Sequence, residues 1–186
     1  VVITGGSQGS VHLNTVTEQI LPELLKKSSV ALVAGRKNYN SIIHLKKYEI
    51  WENAKLKSNF RMWEFNGAMH ELLGAADIVV SRAATTIVEL ASLCNPAVVL
   101  IPFEKLPGGH QVQNAKRLEK LGAAEVMIDE KMMKKPEKLL EIILDLLQHE
   151  EKRQTLANNL SATFKPDSAV RLAEIILDVA YGGNKV

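Results

Sequence analysis

The sequence predicts an α/β protein built on a doubly wound parallel sheet of six strands. Two observations predict it. Six short runs rich in valine and isoleucine recur along the 186 residues, and helix-like patterns separate them. The runs do not alternate apolar with polar residues, which is the pattern of strands buried on both faces. Strands that take turns with helices pair in parallel, because each helix carries the chain back to the same end of the sheet.

The first run is VVIT (1–4), followed by a glycine–serine cluster and a helical pattern over 9–27. VALVAG (30–35) precedes a helix over 40–56, and RMWEF (61–65) precedes one over 69–75. DIVVSR (77–82) leads into 86–95, AVVLIP (97–102) into 111–121, and AEVMID (124–129) completes the sheet. PEKLLEIILDLLQH (136–149) opens with proline, suited to a first helical turn, and spaces its apolar residues three to four apart. A last helix is expected over 165–180, with Asp167 or Ser168 as its cap and an apolar face in need of cover. The final GGNKV should fray.

Composition bounds the function. An apolar fraction of 46% with 24% charged residues is that of an ordinary soluble globule. The net charge of +2 and an aromatic content of 5% give neither the basic surface nor the stacking platforms of a nucleic-acid binder. A single cysteine, Cys94, excludes an internal disulfide, reads as a small buried residue and fits a reducing cytosol. No apolar run reaches the ~20 residues of a membrane span, and no signal peptide is present. The chain starts inside a strand without an initiator Met, as expected of part of something longer.

Ligands of open parallel sheets sit beyond the carboxyl ends of the strands, where strand order reverses. The loop GGSQGS after the first strand places Gly5, Gly6, Ser7 and Gln8 there. Glycine lets backbone approach an anion, and the following helix start offers unpaired amides and a positive dipole end. The spacing GGxxG is not the GxGxxG of dinucleotide sites, and no Gly-Lys-Ser/Thr follows as in a P-loop. A tight strand-to-helix turn would use the same residues. In RAATTIVE, Thr85 and Thr86 stand at a helix start, where hydroxyls cap amides or meet phosphate. Glu89, one turn beyond Thr86, could accept two ribose hydroxyls or simply face solvent. In GGHQVQN, Gln111 and Asn114 carry amides that match sugar hydroxyls, and His110 reads alone as a surface histidine. No histidine or acidic spacing suggests a metal.

Assembled, these stretches resemble the C-terminal domain of the MurG family, the bacterial UDP-N-acetylglucosamine transferases that make lipid II in peptidoglycan synthesis. The resemblance rests on GGSQGS, ADIVVSRAATTIVELASLCNPAVVLIP, HQVQNA with LEKLGAA, and PDSAVRLAEII, in family order over nearly the whole chain. It implies a Rossmann-like domain, the C-terminal half of a glycosyltransferase-B fold, holding the donor UDP-GlcNAc over 1–163. The segment 164–186 would then reach toward an N-terminal acceptor domain, which binds lipid I at the cytoplasmic face of the membrane. Carried over by position, Ser7 and Gln8 line the diphosphate and sugar, and the main chain at Asn66, near Met69, meets the uracil. Ala84 and Thr86 contact sugar and phosphate, Glu89 takes the ribose hydroxyls, and Gln111 and Asn114 read the N-acetylglucosamine, assisted by His110. The implied reaction is an inverting hexosyl transfer without obligatory metal or other cofactor, its general base lying outside this chain, so that the chain alone is expected to be inactive.

The chain departs from the family where SRAGASTxxE becomes SRAATTIVE, one residue shorter, with Ala83–Ala84 in place of a glycine. Competing readings are a stand-alone donor-binding subunit of a two-part glycosyltransferase and a UDP-sugar epimerase, for which no convincing acid/base carboxylates can be placed. A dinucleotide oxidoreductase is disfavoured, because Arg36 and Lys37 follow the second strand where an acidic residue would be needed.

Overall fold

The structure, a computed structural model, describes residues 1–6, 8–42, 54–93 and 95–181. Six strands form one sheet: β1 (Val2–Thr4), β2 (Val30–Val33), β3 (Phe60–Trp63), β4 (Ile78–Ser81), β5 (Ala97–Leu100) and β6 (Glu125–Val126). Their order is β3-β2-β1-β4-β5-β6, and every neighbouring pair is parallel. The expected doubly wound sheet is therefore present, with its order reversing between β1 and β4. Register brings Thr4 level with Val33 on one side and with Ser81 on the other. The loops leaving β1 and β4 consequently start at one height, side by side.

The described helices are α1 (Val11–Leu25), α2 (Ala54–Ser58), α3 (Met69–Gly74), α4 (Thr86–Leu93), α5 (His110–Lys120), α6 (Asp129–Lys134), α7 (Pro136–Gln148), α8 (Glu150–Ser161) and α9 (Ser168–Ala180). Successive strand residues feed two separate cores. Ile3, Leu32, Ile78, Val80 and Val99 pack on one face with Leu13, Ile20 and Leu24 of α1 and Leu139 and Ile143 of α7. Val2, Val79, Val98 and Leu100 pack on the other with Leu73, Leu90, Ala115, Leu118 and Leu160. Burial on both faces explains why β1, β4 and β5 read as continuous apolar runs.

The sequence-based reading needs correction in three places. The last strand is only Glu125–Val126, and Asp129 is not its end: it begins α6 with its side chain buried. Helix α8 had no counterpart in the pattern, because only Leu156, Ala157 and Leu160 are buried in it. At α9 neither Asp167 nor Ser168 caps through its side chain, and the Ser168 hydroxyl donates to Lys165 O instead. Of the helix expected over 40–56, only the start of α2 is seen, since 43–53 lie outside the described residues, as do Ser7 and Cys94.

Candidate functional site

A cleft of about 690 Å³ opens beyond the carboxyl ends of β1 and β4, at the reversal of strand order. Gly5, Gly6 and Gln8 form one wall. Ala84, Thr85, Thr86, Val88, Glu89 and Ser92, from the start and outer face of α4, form the other. Gln111 of α5, Arg82 at the end of β4 and Phe164 beyond α8 complete it.

The glycine loop has the backbone that this position requires. Gly6 has φ of 80°, and a Cβ there would meet nothing within 4 Å, so space lies open above it. Gly9, at φ 73°, is constrained by packing instead: its Cβ would stand 2.0 Å from Ala34 O. That close approach seats the loop against the end of β2, where Asn38 Nδ2 also donates to Gln8 O at 3.1 Å. Gly9 N donates to Gly6 O at 2.9 Å, and Gly6 N to Thr4 Oγ1 at 3.2 Å, closing the turn. Ser10 then caps α1 by accepting Leu13 N at 3.2 Å. The first turn of α1 holds no acidic residue, so its positive dipole end is not neutralised there.

Seven of the twelve residues singled out from sequence meet in this cleft: Gly5, Gly6, Gln8, Ala84, Thr86, Glu89 and Gln111. Among the described residues the Glu89 carboxylate has no ion-pair partner, since the one arginine lining the cleft is engaged elsewhere. Gln111 spends its Oε1 on Phe103 N, at 3.0 Å, which leaves its amide N–H groups for a ligand. Asn114 lies in an adjoining cavity with Ala84, Ile87 and Thr163, and its Nδ2 donates to Ala83 O at 3.4 Å. His110 is exposed at the start of α5 and is not part of the cleft wall. Asn66 follows β3 in a turn where its Oδ1 accepts Ala68 N at 2.9 Å, and Met69 packs against the core. Neither lines the cleft.

Sequence reasoning missed Arg82, Val88, Ser92 and Phe164. Arg82 left a trace, as a charged residue ending an apolar strand just before a ligand-facing loop. Phe164 left none, because it follows the unrecognised α8. Among the described residues no three His, Cys, Asp or Glu side chains gather to hold a metal. No described helix is long and apolar enough to cross a membrane.

Comparison with known proteins agrees with this geometry. A protein from Desulfitobacterium hafniense (strain Y51), named UDP-N-acetylglucosamine--N-acetylmuramyl-(pentapeptide) pyrophosphoryl-undecaprenol N-acetylglucosamine transferase, is 31% identical over 185 residues, which is 97% of this chain and 48% of the relative. A protein of the same name from Listeria welshimeri is 33% identical over 181 residues, 96% of this chain and 48% of its own. The chain thus spans about half the length of the curated relatives it matches. The crystal structure of Acinetobacter baumannii MurG superposes with a TM-score of 0.75 at 24% identity, over 95% of this chain and 48% of that one. WaaG, a glycosyltransferase involved in lipopolysaccharide biosynthesis, superposes with a TM-score of 0.60 at 14% identity, over 96% and 46%. The fold is therefore the Rossmann-like half of a glycosyltransferase-B structure. The family model of the glycosyltransferase family 28 C-terminal domain matches residues 1–172, and with the glycine loop and cleft where that fold binds ligands, the chain belongs to this family.

Proposed function

We propose that the cleft binds the donor UDP-N-acetylglucosamine, and that the chain is the donor-binding half of the enzyme that transfers N-acetylglucosamine to lipid I, forming lipid II. The observation that carries this reading is the meeting of Gly5, Gly6 and Gln8 with Thr86, Glu89 and Gln111 at the switch point. Loop amides and the start of α1 hold the diphosphate and stabilise the charge that develops on UDP as it leaves. Glu89 accepts the ribose hydroxyls, and the uracil extends past the cleft wall to the main chain at Asn66, beside Met69. Ala84 and Thr86 meet sugar and phosphate. Gln111 and Asn114 read the sugar, with His110 assisting.

The acceptor, its membrane surface and the general base belong, in this reading, to residues outside the chain. The half-length match to the relatives supports that division. So does α9, which has no buried residue. Calorimetric titration of the protein with UDP-N-acetylglucosamine, with UDP-glucose and NAD as controls, tests the assignment. Binding of the first over both controls is expected; equal or stronger binding of NAD would overturn it.

A further inference from the structure

Beside the start of α1 lies an ionic cluster, built on one buried carboxylate, that the donor site as described does not use. Asp129, at the start of α6, is 2% exposed. Its Oδ2 accepts His12 Nδ1 at 2.5 Å; an ionised carboxylate only accepts, so Nδ1 carries the proton. Its Oδ1 lies 2.5 Å from Arg82 Nη1, in an ion contact whose angle is not that of a hydrogen bond. Arg82 Nη1 also donates to Ile101 O at 3.0 Å, and Nη2 donates to the Ser10 hydroxyl, the same oxygen that caps α1. The Phe103 ring lies 5.6 Å from the Arg82 guanidinium and meets the His12 ring edge-on, with centroids 6.0 Å apart.

One carboxylate therefore ties together the first turn of α1 through Ser10 and His12, the end of β4 through Arg82, and the end of β5 through Ile101. A buried ion pair rarely out-stabilises an apolar pair of similar volume, so stability alone is a poor account of it. Its location is informative: two of its links end at Ser10 and His12, at the start of α1 directly after the glycine turn that lines the cleft. A phosphate held by neutral backbone donors depends on the direction in which those donors are fixed.

We propose that Asp129, acting through Arg82 and His12, is a positioning residue for the phosphate end of the cleft. The proposal rests on the donor-site reading above. Arg82 acts here as a brace on the α1 start and not as a direct counter-charge to phosphate. The two roles differ in sign. Asp129→Asn keeps shape but removes the charge that offsets Arg82. A brace then loosens and UDP binding weakens; a counter-charge is unmasked and UDP binding strengthens.

The test compares UDP with uridine, which shares the base and ribose but lacks the phosphates. In Asp129→Asn, UDP affinity should fall about tenfold, the scale of a small misplacement of binding groups, while uridine affinity stays within about twofold. The double variant Arg82→Met/Asp129→Leu leaves no lone buried charge and so keeps the fold measurable, and it should show the same selective loss. An unchanged UDP-to-uridine ratio in the folded double variant would overturn the proposal and leave the donor reading standing. Tighter UDP binding in Asp129→Asn would overturn it as well, in favour of the counter-charge. If the unmodified protein binds UDP no better than uridine, the phosphate site itself falls, and the brace with it.

Discussion

Helices α1 and α9 have nearly the same length, 15 and 13 residues, and each carries one apolar face, yet their fates differ. α1 buries Leu13, Val16, Ile20, Leu21, Leu24 and Leu25 against the sheet, α6 and α7. α9 buries nothing: Leu172 is 58% exposed, Ile176 57% and Val179 80%. An apolar stripe shows that a helix has an inward face but does not say which part of a protein covers it. In α1 the cover comes from the same chain, and the helix can present its amino end to a ligand with the rigidity of the core behind it. In α9 the same pattern is left facing water.

The contrast can be broken most severely at the anchored end of α1. Arg82→Met alone strands the Asp129 carboxylate with only His12, and should cost about 3–5 kcal/mol of stability. Urea denaturation measures it; a cost within experimental error of zero would mean the pair is solvated. The next test sets the two helices directly against each other. Leu24→Ala should cost about 2–5 kcal/mol, as emptying a fully buried site does. Ile176→Ala in α9 should stay within about 0.5 kcal/mol, as for a surface change. Comparable losses at both sites would show that α9 is covered in solution, by self-association or otherwise.

Smaller effects sharpen the picture. The Cβ of Gly6→Val meets no described atom within 4 Å, but a branched side chain is forced into positive φ, costing about 1–3 kcal/mol while filling the space that the proposed function gives to phosphate. UDP binding should be abolished in a folded protein, and unchanged affinity would reduce the loop to an ordinary turn. Smallest in energy is the exchange contrast. Amides of α9 should exchange faster than those of α5, whose Ala115 and Leu118 are buried. Equal protection would remove the distinction between the two regions.

The same contrast explains what was legible in the sequence. β1, β4 and β5 could be read because burial on both faces leaves a local signature, and the glycine loop because backbone geometry demands its residue type. The stretch AEVMID looked like one strand to its end, but Asp129 turns away to meet Arg82, 47 residues earlier in the chain. No periodicity records a pairing of that kind. α8 was missed because a helix resting on Leu156, Ala157 and Leu160 alone has a stripe too narrow to stand out, while Lys152 spans to Glu125 and Asp145 at 2.6 and 2.9 Å on its polar side. Within the site, Glu89 and Thr86 were placed together by helical spacing, and the structure sets both on the cleft. Asn66 and Met69, by contrast, lie off the cleft wall, since the end of β3 is two strands away from the switch point.

The claim that the cleft is a nucleotide-sugar site is tested most directly at Glu89. Among the described residues its carboxylate has no ion-pair partner, and it stands on the α4 wall where, in this account, it accepts both ribose hydroxyls. Glu89→Ala should then cost about 1.5–3 kcal/mol of UDP binding, the range for hydrogen bonds to a charged group, or roughly a tenfold to hundredfold loss. Because general damage could imitate that loss, the decisive measurement is the affinity of each protein for UDP and for 2′-deoxy-UDP by calorimetry. The unmodified protein is predicted to prefer UDP, and Glu89→Ala to bind the two almost alike. A variant that keeps the full preference for UDP would show that another group reads the ribose, and would contradict the account.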